Sequence, residues 1–152
     1  MALPDPIDMN GEWVSTLNRL YTCFLSIFYA NPRLLANGRL LVCDGRCLDD
    51  NKEEGFWHII SKTERGERLP DYDRARCMPW IPAMLNGTAP GISRWRYQEG
   101  SGAMRQYYWL EEERYVLILE EGRNVTSLVT AYYVQSWGAK DLERRRAKGA
   151  PF

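Results

Sequence analysis

The sequence predicts an α+β fold in which N-terminal helices pack on a four-stranded antiparallel β-meander and a C-terminal helix closes the chain. Three observations carry this expectation. Between Met104 and Val134 the runs MRQYYWLEE, RYVLILEE and NVTSLVTAYYV follow one another with short polar breaks, and their aromatic and β-branched side chains suit a pleated, half-buried surface. Connections that short allow antiparallel neighbours and exclude parallel crossovers. From Glu12 to Ala30 the residues Trp13, Leu17, Leu20, Tyr21, Phe24, Ile27 and Phe28 recur at helical spacing. Finally, Ala139 to Lys148 reads as a basic helix that includes Arg144, Arg145 and Arg146.

In chain order, residues 1–10 form an irregular lead-in with Pro4 and Pro6, and Asp8 or Asn10 is placed to cap the first helix. Residues 11–91 form a helical layer with one short hairpin. Asn31-Pro32 stops the first helix, because a residue before proline avoids the helical region. Arg39 to Asp44 is a short apolar strand, and Asp44-Gly45 is a tight-turn signal whose partner strand would be Arg46 to Asp49. Asn51 to Lys62 reads as a helix with an acidic first turn and a basic last one. Phe56, Ile59 and Ile60 would face the core, leaving His58 on a flank. Thr63 to Asp71 is a charged loop, and Tyr72 to Asn86 a short helix capped by Asp71 or Asp73, made irregular by Pro79 and Pro82. Ile92 to Gln98 is the strand that precedes the meander, so the sheet covers residues 92–134.

At 152 residues and 45% hydrophobic composition, one domain over residues 1–152 with one compact core is expected. Lys plus Arg equals Asp plus Glu at 20 each, so no global field advertises nucleic acid or membrane. Locally, residues 1–60 carry 5 basic and 8 acidic groups, residues 61–110 carry 8 and 5, and residues 111–152 carry 7 and 7. An anionic ligand would be met in the middle block. Cys23, Cys43, Cys47 and Cys77 without a signal peptide suggest reduced thiols in a cytoplasm, and no apolar run is long enough to span a bilayer. Cys43, Cys47, His58 and Cys77 lack zinc-site spacing, so no metal or other cofactor is expected.

The only histidine, His58, precedes Lys62 by one helical turn and a segment carrying Arg65, Arg68, Arg74 and Arg76. An imidazole beside fixed cations could take a proton from a hydroxyl while the cations stabilise a phosphorane. A solvated basic surface, with Arg74 and Arg76 paired to Asp71 and Asp73, is the bland alternative, and both stay open. In the last strand a period of two places Leu128, Thr130, Tyr132 and Val134 on one face and Val129, Ala131 and Tyr133 on the other. Thr130 with Tyr132 could bind a phosphate oxygen and stack on a base, or both could be ordinary sheet residues. No P-loop, dinucleotide fingerprint or nucleophile-elbow motif is present.

Taken together, FWHIISK, the basic helix ending in Trp80, RQYYWLEEERYVLILEE and SLVTAYYV resemble the phage-associated ribonucleases of the BECR group (barnase, EndoU, colicin and RelE-like) over roughly residues 55–148. The resemblance implies a metal-independent endoribonuclease toxin or effector of phage or mobile-element origin, in which the RNA 2′-hydroxyl attacks its own phosphodiester. An antitoxin or immunity protein is the partner such a toxin would have, in the cytoplasm that the thiols suggest. By position, His58 would be general base or acid, and Arg74 or Arg76 would stabilise the transition state. Thr130 and Tyr132 would place the phosphate or base, with Tyr133 the competing choice; Lys62, Arg105 and Trp80 would assist in holding RNA. EndoU-like members use two histidines and this chain has one. Lys62, Tyr132 or Tyr133 therefore supplies the second proton-transfer group, or the activity has been lost. A non-catalytic protein- or RNA-binding module on the same fold is the alternative.

Overall fold

The structure, a computed structural model, describes residues 2–47 and 50–152. Helix α1 (Trp13–Phe28) buries Thr16, Leu20, Phe24, Ile27 and Phe28, one face of a 3.6-residue period. Its N-cap is Glu12, which makes no side-chain capping bond, so neither Asp8 nor Asn10 serves. Arg19 instead reaches back to the carbonyls of Asp8 (2.9 Å) and Asn10 (2.8 Å), tying the lead-in to the helix.

Strand β1 (Leu35–Ala36) and strand β2 (Arg39–Val42) form a hairpin through Asn37 and Gly38, whose φ values of 49° and 86° fit the left-handed turn that hairpins favour. The expected turn at Asp44-Gly45 is not a hairpin. Arg46 and Cys47 lie outside the named strands, and Leu48 and Asp49, the rest of the expected partner, lie outside the described residues. Helix α2 (Glu54–Ile60) is shorter than Asn51 to Lys62, because Ser61 is already extended and opens strand β3 (Ser61–Glu64). With strand β4 (Glu67–Pro70) it makes a hairpin over Arg65 and Gly66, where a loop was expected. Every residue of that hairpin except Ser61 is exposed, so no alternation of apolar residues announced it. The expected helix over Tyr72 to Asn86 is three pieces: helix α3 (Tyr72–Ala75), a 3-10 turn (Met78–Trp80) and helix α4 (Ile81–Leu85). Pro79 and Pro82 stand at the starts of the last two, where a missing amide costs least.

The sheet overturns the expected architecture. Strands β5 (Ile92–Gln98), β6 (Met104–Leu110), β7 (Tyr115–Glu121) and β8 (Val125–Tyr133) run antiparallel in sequence, but with β9 (Ala150–Pro151) they belong to a seven-stranded mixed sheet in the order β1-β2-β8-β7-β6-β5-β9, curled into a half-barrel. The fold is α+β, not a four-stranded meander under N-terminal helices. Two additions make the difference. Strand β2 joins β8 in parallel, pairing Leu40 with Val125 and Val42 with Ser127, and strand β9 (Ala150–Pro151) joins the other edge at Trp95 and Arg96. Parallel pairing of distant segments leaves no local turn signal.

Both faces of the sheet are covered. Tyr108, Leu110, Tyr115, Leu117, Leu119 and Ala131 pack against the helices from the first half of the chain. Trp95, Tyr107, Trp109, Val116 and Ile118 pack with Leu142 of helix α5 (Ser136–Lys148), which starts three residues before the expected Ala139. Trp95 and Tyr107 stack with centroids 5.1 Å apart. A bulge in β8 also changes the expected faces. Ile118 pairs with Thr130 and Leu119 with Leu128, so Val129 is the extra residue. Leu128 therefore shares the helix-covered face with Ala131, opposite to Thr130 and Tyr132.

A polar clamp crosses the sheet beyond the apolar layer. The Glu121 carboxylate, 8% exposed, accepts from Arg96 Nε (2.8 Å) and Nη2 (2.7 Å) and from Gln106 Nε2 (2.9 Å), with Arg39 Nη1 3.7 Å away. It joins β2, β5, β6 and β7. Hydrogen bonds from Arg96 hold its carboxyl below the usual range, against burial, which acts the other way. The folded chain thus binds fewer protons here than the unfolded one. The stabilisation is complete above the unfolded carboxyl pKa of about 4.3 and is lost as pH falls through the lower folded value. In urea titrations Glu121→Gln is expected to lower stability by about 1–3 kcal/mol at neutral pH, with the gap to the unsubstituted chain closing below about pH 4. A gap that stays constant with pH would show that the carboxylate charge is not what holds these strands.

Candidate functional site

Strand β2 lies beside β8, and the segment after it leads into α2, which packs across β8. The approach is close because residue 55 is glycine. Its amide donates to the Asp44 carbonyl (2.9 Å), and a Cβ there would stand 2.6 Å from Cys43 Cβ and 2.8 Å from its sulfur. With Phe56, Ile59 and Ile60 fully buried, His58 falls on the open flank, its side chain 45% exposed. Glu54, one turn earlier, places Oε2 at 3.7 Å from His58 Nε2. That carboxylate is held in turn by Arg68 of β4, through Nη1 to Oε1 (3.1 Å) and Nη2 to Oε2 (2.9 Å). The Arg68 hydrogen bonds keep Glu54 ionised to lower pH than usual. The imidazole therefore sits beside a fixed anion, a common way of orienting such a ring.

Arg74 is the central cation. Its side chain is 17% exposed, and Nη1 donates to the carbonyls of Ser61 (2.6 Å) and His58 (3.3 Å), where α2 passes into β3. Asp71 caps α3 by accepting from the Arg74 amide and leaves its Oδ2 3.7 Å from Arg74 Nε, which has no hydrogen-bond partner. The guanidinium lies 5.9 Å from the centroid of the Tyr132 ring. Burial draws the Arg74 pKa down, though a guanidinium remains charged at neutral pH. Burial raises that of Tyr132 and keeps its phenol protonated.

Two adjoining cavities meet at Arg74 and Lys62. The smaller, about 310 Å3, is lined by His58, Lys62, Arg68, Arg74 and Thr130 among others. The larger, about 620 Å3, is lined by Lys62, Arg74, Tyr132, Tyr133, Gln135 and Trp137 among others. The structure thus gathers His58, Lys62, Arg74, Thr130, Tyr132 and Tyr133 along one edge of β8. Lys62 reaches the site from strand β3 rather than from a helix, and its ammonium also pairs with Glu64 at 3.2 Å.

Three expected residues stand elsewhere. Arg76 is exposed beside Asp73 (4.0 Å) and lines neither cavity. Arg105 is on β6, bonded to Glu120 at 3.1 Å. Trp80 is 5% exposed, donates its indole N–H to the Pro4 carbonyl (2.8 Å) and lines a separate cavity under the lead-in. Each of the three has a structural occupation that adjacency in sequence could not reveal. Glu54 and Trp137 are residues that sequence reasoning missed, and Arg68 was named only within the basic segment, without a role of its own. The acidic first turn of α2 pointed to Glu54 only as a helix-dipole group, and the unexpected β3–β4 hairpin is what brings Arg68 to it.

Chemically the site offers an imidazole beside a carboxylate, a half-buried guanidinium, an ammonium, a hydroxyl and a protonated phenol. Among the described residues no three His, Cys, Asp or Glu side chains gather as ligands for a metal ion. The close approach at Gly55 yields a direct test. Gly55→Ala is expected to destabilise the chain by about 1–3 kcal/mol through overpacking against Cys43, and Cys43→Ala in the same chain should recover part of that loss. Thermal melts of the single and double variants measure it, and an undiminished melting temperature in Gly55→Ala would refute the contact. No family model matches this chain, and no curated protein or solved structure matches it either.

Proposed function

We propose that the chain is a ribonuclease that cleaves RNA by attack of a 2′-hydroxyl on the adjacent phosphodiester, with a role as a toxin or effector of phage or mobile-element origin acting in a cytoplasm. The observation that carries this reading is the single cavity shared by His58, Arg74 and Thr130. His58, beside the Glu54 carboxylate, takes the proton from the 2′-hydroxyl. The freed oxygen attacks phosphorus, the P–O5′ bond breaks, and a 2′,3′-cyclic phosphate forms. Arg74 and Lys62 face the charge that builds on the non-bridging oxygens, and Thr130 donates a hydrogen bond to one of them. The departing 5′-oxygen receives its proton from Lys62, which lines both cavities, or from the Tyr132 phenol. That assignment answers the single histidine, since either group can serve as the acid. Among the described residues no helix is long and apolar enough to cross a membrane. An antitoxin or immunity protein as partner is part of the same proposal.

A second reading, a module that binds RNA or a protein without cutting, is favoured by the balanced charge and by the single histidine. Incubation of the purified chain with RNA in excess chelator separates the two. The expected result is cleavage to cyclic phosphate ends, absent on a substrate with a 2′-deoxy sugar at the scissile position. His58→Ala is expected to lower the rate about 10²- to 10⁴-fold, with Arg74→Ala losing about 10²- to 10³-fold. Equal cleavage by the unsubstituted and His58→Ala chains, or no cleavage by either, would sink the ribonuclease reading.

A further inference from the structure

We propose that the larger cavity is a subsite for one unpaired nucleobase, which makes single-stranded rather than duplex RNA the ligand; the inference rests on the ribonuclease reading of the adjoining cavity. The primary observation is Trp137. Its ring is 80% exposed at the start of α5, although tryptophan is among the most buried side chains on average. No aromatic partner covers it among the described residues. It lines a cavity of about 620 Å3 together with Tyr132 and Tyr133, a size in the ordinary range for small-ligand sites.

The cations decide which occupant fits. Lys62 and Arg74 line both cavities, so a phosphate held between them has the His58 cavity on one side and the Trp137 cavity on the other. The group attached one sugar away from that phosphate is a base. Trp137 and Tyr133 offer it aromatic surface, and Gln135 offers hydrogen-bonding groups to its edge. A paired base has its edge engaged and its faces stacked, and the deep, narrow major groove of A-form RNA keeps side chains out. Only a splayed-out base can enter.

The test measures binding apart from cleavage. A labelled single-stranded RNA of mixed sequence carrying 2′-O-methyl sugars, which lack the attacking hydroxyl, is titrated with the full chain by fluorescence anisotropy, alone and annealed to its complement. The single strand is expected to bind more tightly than the duplex. Trp137→Ala should weaken single-strand binding about 5- to 150-fold, and Trp137→Phe should restore most of it. The salt dependence should not change, because no phosphate contact is removed. Unchanged melting of Trp137→Ala is expected from its exposure and serves as the folding control. Equal affinity of Trp137→Ala, no recovery with Trp137→Phe, or equal binding of duplex would each overturn the subsite. The two readings fail separately. Cleavage of natural RNA that is indifferent to Trp137 removes the subsite alone, whereas Trp137-dependent single-strand binding without cleavage removes the ribonuclease chemistry alone.

Discussion

The parallel pairing of β2 with β8 is the contact on which the rest of the structure depends. Three register pairs, Leu40 with Val125, Leu41 with Thr126 and Val42 with Ser127, join the first half of the chain to the last long strand. Over Val125 to Ser127 β8 then has a partner on each side, while Leu128 to Tyr133 pair with β7 alone and leave the open edge along which the candidate site lies. The Gly55 amide of α2 donates to the Asp44 carbonyl two residues after β2, so the same pairing holds His58 at the flank of Thr130. Gly55 sets how near the helix can come. Sheet topology, helix placement and candidate chemistry are in this sense one arrangement.

Charge is distributed with the same economy. Most of the arginines that touch the sheet are matched to carboxylates: Arg96 with Glu121, Arg145 with Glu99, Arg146 with Glu111 and Arg105 with Glu120. The Arg145 pair is reinforced by Tyr107, whose hydroxyl donates to Glu99 and accepts from Arg145 at 2.6 Å; burial pushes its pKa up to about 12. Arg74 differs. Its hydrogen bonds go to carbonyl oxygens, which orient the guanidinium, and its ion pair with Asp71 is a looser contact of 3.7 Å. A chain with zero formal net charge can thereby differ from place to place in how tightly its cations are paired. Overall composition averages this out, which is why the charge balance said so little about ligands.

Legibility followed the range of the interactions. Strand β5 fell where Ile92 to Gln98 was expected, and α1 within a residue or two of its expected ends, because alternation and helical period are local patterns. The β3–β4 hairpin was invisible because it buries almost nothing, and the bulge at Val129 was invisible because one inserted residue leaves an apolar pattern unchanged while exchanging the faces on either side of it. The site divides in the same way. His58 could be found as the only imidazole in the chain, and its exposure followed from Phe56, Ile59 and Ile60 taking the core. Arg74 and Arg76 were indistinguishable in sequence, since each lies three residues from an aspartate. The fold separates them by turning Arg74 under α2 and Arg76 into solvent.

By itself the sequence determined the α+β class, the antiparallel run from β5 to β8, the buried face of α1 and the position of the one histidine. All of these depend on periodicities or turns that act over a few residues. Tertiary structure alone decided that the sheet has seven strands rather than four, that α5 covers its second face, that Lys62, Arg74 and Thr130 converge on His58, and that Trp137 stands open beside them. The physical reason is that these features rest on contacts between segments tens of residues apart. Their energies come from burial and pairing that no local stretch can express.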